Sequence, residues 1–269
     1  MLASLAMTTS TTIRLAFLCF VLSATLPSFA RAPNKARLIE EKPGKSHVRH
    51  CLMTRKTIAI TDPVHFTDAR VIVDHYEPRT GSEAQVLILP PTGGENLIDR
   101  LYARKLCKRG LGAVLVKTWS YDTETSLGAL YAATLLGSEK RIETGVIIVG
   151  GSPLSEILAT STIPGVTQQR VSRIEKLKLQ DAQDYRLLMD KKINLDASNF
   201  LPLARGKSAL MVTALKDKIV PTSTQLNLWE EMGRPARIDI KAGHLGAMIS
   251  AYTWHRRSIE DFLVRELAR

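Results

Sequence analysis

The sequence predicts an α/β fold built on a mainly parallel sheet, and three observations predict it. Short continuous apolar runs recur: "AQVLIL" (84–89), "GAVLVKTW" (112–119), "TGVIIVGG" (144–151) and "SALMVTAL" (208–215). Runs of that length suit strands buried on both faces. Segments with three- and four-residue apolar spacing separate them, and such alternation marks a parallel sheet covered by helices. Turn residues close several runs, as in "PPTGG" (90–94), where a chain passes from strand to helix. At 269 residues, 45% of them apolar, the chain is long enough for one domain with a large core.

The first thirty residues stand apart. Arg14 precedes the apolar stretch "LAFLCFVLSATLPSFA", broken at Pro27, and Ser28 and Ala30 are small residues where a signal peptidase reads. The stretch is short for a membrane span. Residues 1–30 are expected to be a secretory signal cleaved after about Ala30, giving a secreted or periplasmic protein with no stable membrane span. Residues 31–55 are basic, contain Pro33, Pro43 and Gly44, and read as a lead-in or linker. The folded domain is expected over 56–269.

Within it, "KTIAI" (56–60) and "ARVIVDHY" (69–76) show β-branched enrichment and partial alternation. Strand 84–89 leads to a helix with Leu97, Ile98, Leu101, Tyr102 and Leu106 on one face, closed by Gly110. After strand 112–119, "ALYAATLL" (129–136) reads as a helix. Residues 165–206 are charged, with helical patches such as "DAQDYRLLMDKK". The remainder reads as strand 208–215, helix 222–233, strand 236–240 and a last helix with Ile259, Phe262, Leu263 and Leu267 on one face.

The net charge is +11, with basic clusters in 31–56, 103–110 and 170–178. No aromatic residues interleave with them, so they read as solvated faces, and no nucleic-acid partner is expected. Basic-surface binding of an anionic polymer is the weakest of the functional readings. Without residues 1–30, Cys51 and Cys107 remain. In an oxidising compartment they could pair, and two separate thiols are the other reading. There is no CxxC and no HExxH, so neither a metal nor a cofactor is expected. The oligomeric state stays open.

Open parallel sheets bind ligands at the carboxyl ends of their strands. Three such ends carry useful chemistry: the turn 90–94, Asp217 in "LKDKIVP", and His244 in "KAGHLGA". A serine hydrolase needs a histidine to take the serine proton, a carboxylate to hold the imidazole, and N–H groups for the oxyanion.

From about residue 84 to the end, the chain resembles the α/β-hydrolase superfamily. The residues that carry the resemblance are "LILPPTGG", "SLGALYAA", "LMVTALKDKIVP" and "IKAGHLG", each before a helix or at a strand end. Asp217-Lys218-Ile219-Val220-Pro221, followed some two dozen residues later by Gly243-His244, is the most specific part. The resemblance implies a three-layer α/β fold, Asp217 as triad acid and His244 as general base. It also implies oxyanion donors at Thr92 or Gly93 and at Leu127, and a small cap-like segment within 153–206.

Two serines compete for the nucleophile position of the family's G-x-S-x-G elbow. Ser126, in Glu124-Thr125-Ser126-Leu127-Gly128, keeps the second glycine, while Glu124 replaces the first and the polar "SYDTE" (120–124) precedes it. Ser152 follows a proper strand, but Pro153 after it has no N–H to offer an oxyanion. Ser126 is preferred, with a helix-cap role as the alternative for each.

The family places a helix and a strand between the strand ending at Trp119 and the elbow serine. Only six residues stand there. A helix–strand unit is therefore expected to be missing, with strand 112–119 taking the central slot beside strand 84–89 of an incomplete sheet. The function expected is a serine hydrolase acting on a small-molecule carboxylic ester or related acyl substrate through Ser126, His244 and Asp217. The alternative is a catalytically silent α/β-hydrolase-fold protein that binds a ligand or partner.

Overall fold

A computed structural model describes residues 14–18, 36–44, 50–61, 68–89, 97–117, 128–193 and 196–267. Its centre is a nine-stranded sheet. The strands are β1 (Arg14–Leu18), β2 (Ala36–Pro43), β3 (Cys51–Thr61), β4 (Asp68–Pro78), β5 (Ala84–Ile88), β6 (Gly112–Lys117), β7 (Ile142–Ile148), β8 (Ser208–Ala214) and β9 (Ala236–Ile240). They lie in the order β2-β3-β4-β6-β5-β1-β7-β8-β9. From β6 to β9 every pairing is parallel, and β2, β3 and β4 pair antiparallel at the other end.

The alternation of side chains sorts the core into two faces. Val86 and Ile88 of β5, Val146 and Ile148 of β7, and Leu210 and Val212 of β8 face one way. They meet α1 (Leu97–Lys108), α8 (His244–Thr253) and α9 (Arg256–Leu267) through Tyr102, Leu106, Ala247, Ala251, Ile259 and Leu263. Ile147 and Met211 face the other way. They meet α2 (Gly128–Ser138), the short α6 (Leu201–Ala204) and α7 (Thr222–Glu231) through Ala132, Ala133, Leu136, Leu201 and Leu228. Fully burying one such side chain contributes roughly 1.5–3 kcal/mol, so the two clusters fix the three-layer α/β/α order. Glycine permits the closest approach: a Cβ at Gly137 in α2 would lie 2.2 Å from the carbonyl oxygen of Phe200.

Between β7 and β8 stand three further helices, α3 (Leu154–Thr160), α4 (Pro164–Leu177) and α5 (Ala182–Lys192). They carry their own small core of Ala159, Tyr185 and Met189. Asp181 caps α5 by accepting from the N–H groups of Gln183 and Asp184. No helix among the described residues is long and apolar enough to cross a membrane.

Three features differ from the sequence reading. First, residues 36–43 of the expected lead-in form β2, and β3 begins at Cys51. The strand at 36–43 is an edge strand whose side chains from Arg37 to Pro43 are exposed. Charged side chains on an edge suppress the apolar signal that marks interior strands. Second, β6 does not take the central slot. It lies between β4 and β5. Third, that slot, between β5 and β7, is filled by β1, which pairs Ala16 with Val86 and Leu18 with Val146. The ten residues between β6 and α2, where the helix–strand unit is expected to be missing, lie outside the described residues.

Cys51 and Cys107 form a disulfide, with a Cα–Cα separation of 6.2 Å. It ties the start of β3 to the end of α1. Closing a loop with a sequence separation of 56 stabilises the fold by about 4 kcal/mol in the chain-entropy picture.

Candidate active site

The turn after β8 begins "LKDKIVP" (215–221), and its aspartate folds back on its own backbone. Asp217 Oδ1 accepts from the N–H groups of Ile219 at 2.8 Å and Val220 at 3.1 Å. Such an Asx-type turn is the ordinary local bonding of an aspartate two and three residues ahead of free N–H groups. It buries the carboxyl group, whose side chain has no solvent exposure. The second oxygen, Oδ2, accepts from Gln225 Nε2 at 3.0 Å and lies 2.7 Å from His244 Nδ1.

His244 opens α8, directly after β9 and the short turn 241–243. The turn is held to the Asp217 loop by backbone bonds: Leu215 N–H donates to Ile240, and Lys216 N–H to Ala242 at 3.0 Å. A Cβ at Gly243 would stand 3.5 Å from the Lys216 carbonyl oxygen. These bonds set the imidazole against the aspartate. An acceptor-only carboxylate at Nδ1 selects the tautomer with its proton there, which makes Nε2 the basic nitrogen.

Gln225 completes the setting and carries no sequence signal of its own. It lies on α7, fully buried. Its amide oxygen accepts from Ala214 N–H at 2.9 Å, and its nitrogen donates to both Asp217 and the Val220 carbonyl. A buried amide there has to find partners, and the strand end β8 supplies them.

The start of α2 reaches the same edge of the sheet. A Cβ at Gly150 would lie 2.4 Å from the Ala129 Cβ, and one at Gly151 would lie 2.8 Å from Val220 Cγ1. Val220 in turn donates its N–H to Asp217. Two glycines thus let the first turn of α2 and the aspartate loop close on the end of β7. Val149, just before them, holds φ at 50°. For a β-branched residue this is a strained setting worth about 1–3 kcal/mol, and its N–H is anchored on Val212 at 2.8 Å.

Of the residues expected at the site, the structure brings Asp217 and His244 together. Ser126, Leu127, Thr92 and Gly93 lie outside the described residues. Ser152 is placed in different company. Its hydroxyl is fully buried and donates toward two carboxylates, Asp196 at 3.2 Å and Glu231 at 3.3 Å. Burial pushes the Glu231 carboxyl above its usual range. Neither carboxylate partner gives Ser152 the imidazole base that an elbow serine uses. No cluster of three or more metal-ligating side chains occurs among the described residues.

No protein-family model matches the sequence, and no curated protein matches it at the sequence level. Solved structures do match in shape. Acetyl xylan esterase 1 from Thermoanaerobacterium superposes with a TM-score of 0.55 at 12% identity, over 82% of this chain and 87% of that one. The α/β hydrolase GrgF from Penicillium gives 0.53 at 16% identity, over 80% and 99%. The esterase Pf2001 of Pyrococcus furiosus gives 0.52 at 15% identity, over 78% and 92%. Likeness at such identities is a likeness of fold. The chain has the α/β-hydrolase fold.

Proposed function

We propose that the protein is an ester-hydrolysing enzyme in which Ser126 is the nucleophile, His244 the general base and Asp217 the orienting acid. The observation that carries this reading is the Asp217–His244 pair at the carboxyl edge of the sheet, 2.7 Å apart and locked from both sides. Ser126 stands two residues before α2, whose first turn packs against the glycines beside the Asp217 loop. In the reaction Ser126 attacks the ester carbonyl and passes its proton to Nε2 of His244. Asp217 steadies the imidazolium that forms. The N–H of Leu127, with that of Thr92 or Gly93, holds the oxyanion. The proton returns to the leaving alcohol, and water releases the acyl group by the same route. The substrate is a small carboxylic ester or related acyl compound. Similar shape to esterases supports this class of substrate.

Export to an oxidising compartment belongs to the same proposal. It is supported by the Cys51–Cys107 disulfide; the pairing of residues 14–18 with β5 and β7 weighs against removal of residues 1–30 from the folded protein.

A second reading, a silent hydrolase fold, is favoured by one observation: the strand in the central slot comes from Arg14–Leu18 and not from a strand leading into Ser126. One experiment separates the two. The folded protein is treated with a fluorophosphonate probe and the adduct located by peptide mass spectrometry, beside a short-chain p-nitrophenyl ester assay of the wild type and His244→Ala. Labelling of Ser126 and loss of turnover in His244→Ala are expected. A folded protein that takes no label and turns over no ester would leave the silent reading standing.

A further inference from the structure

The two turns that carry Asp217 and His244 have an unusual surface. Leu215, Lys216 and Lys218 flank Asp217, and all three are exposed. Lys241 is exposed on the facing turn, one residue before Ala242, which accepts from Lys216 N–H. Beside His244, Leu245 is 66% exposed, and Ile249, one helical turn further along α8, is 47% exposed. The three lysines make no ion pair among the described residues. The turn 241–243 and helix α8 carry no acidic residue. Apolar side chains, and lysines with no ion pair among the described residues, are thus both exposed on the two turns and the start of α8, a lip that carries the only buried aspartate–histidine pair of the described residues.

We propose that this lip docks on lipid surfaces bearing anionic headgroups, and that the ester hydrolysed at the site is drawn from such a surface. The proposal rests on the ester-hydrolysing reading for its substrate and on the lip alone for its docking. Three arguments select the occupant. The lysines complement a negative surface, where each basic residue strengthens binding about fivefold. The leucine and isoleucine side chains can enter the headgroup region while lysine ammonium groups stay with the phosphates. A second copy of this chain would set the same lysines against each other on a protein of net charge +11, which opposes self-association.

The test is co-sedimentation of the full chain with vesicles of phosphatidylcholine alone and of phosphatidylcholine with phosphatidylglycerol, at low and high salt. Binding to the phosphatidylglycerol vesicles, weakened by salt, is expected. The triple variant K216Q/K218Q/K241Q is expected to bind about a hundredfold more weakly, and L245S/I249S about tenfold more weakly. K176Q/K191Q/K192Q removes the same charge from exposed positions of α4 and α5 and is expected to bind as the wild type does. Equal losses in the lip and control variants would reduce the effect to net charge and overturn the proposal. So would absence of binding, or a dimer on gel filtration that L245S/I249S dissolves. Hydrolysis of a soluble short-chain ester is read in parallel. Binding without turnover removes the catalytic reading and leaves the docking; turnover without binding does the reverse.

Discussion

Two buried aspartates, one before β8 and one after it, invite comparison. Asp217 and Asp196 are each about 5% exposed. Among the described residues each carboxylate gathers four donors. Asp217 takes two backbone N–H groups, an amide and an imidazole. Asp196 takes the N–H groups of Leu154 and Ser198 and the hydroxyls of Ser152 and Ser198. As hydrogen-bonding problems the two are solved equally well. They share two backbone N–H donors and differ in the other two, of which only Asp217 has an imidazole. A hydroxyl or an amide only fills a lone pair, whereas an imidazole can also carry a proton to something else. The same packing rule that makes Asp196 a clasp between α3 and the segment before β8 makes Asp217 a candidate for chemistry.

The comparison breaks most visibly in turnover. Asp217→Asn keeps size and burial but loses the charge facing Nδ1. Ester turnover is expected to fall about 10⁴-fold with the melting temperature little changed. Asp196→Asn should leave turnover per folded molecule as it is. If the two variants lose activity alike, Asp217 has no special role. The next effect is in stability. Asp196→Ala removes the acceptor of the Leu154 and Ser198 N–H groups and of the Ser198 hydroxyl, while Ser152 keeps Glu231, and urea unfolding is expected to show a loss of about 3 kcal/mol. Gln225→Leu sharpens the contrast from the other side. It removes a donor from Asp217 and the acceptor of the Ala214 N–H, and a shifted aspartate is expected to cost up to about a hundredfold in turnover. A Gln225→Leu enzyme that is destabilised yet fully active would show that the His244 bond alone positions the aspartate.

The smallest effect is the baseline given by a half-buried surface carboxylate. Glu139 accepts three bonds from Arg141, chiefly through its side chain, which holds the Glu139 carboxyl down at about 2. A lowered acid stabilises the folded state above its ordinary range, and the gain vanishes as pH falls toward the lowered value. Glu139→Gln is expected to cost about 0.5 kcal/mol at neutral pH and nothing near pH 2, as thermal melts across that range will show.

The legible parts of this molecule share a physical cause. Strands β5 to β8 are short, mostly buried, and flanked by helices, so apolar runs and spacing reveal them. Asp217 and His244 show because each follows a strand and sits in a short distinctive turn. Gln225 was hidden, since its meaning comes from β8 packing across α7 and not from its neighbours in sequence. Edge strand β2 was hidden by its charged residues. Strand β1 was hidden for a different reason. An apolar stretch near a chain start has the composition of an export signal and of a central strand at once, and periodicity over five residues cannot tell them apart.

That strand has a consequence for the order of events in the cell. Residues 14–18 are made before their partners, Ala84–Ile88 and Ile142–Val146. The middle of the sheet cannot close until most of the chain has been made, and such long-range closure is slow. In that interval the segment has neither of its neighbouring strands to pair with. The two halves of the sheet, β2 to β5 and β7 to β9, are therefore joined through a strand made before either of them.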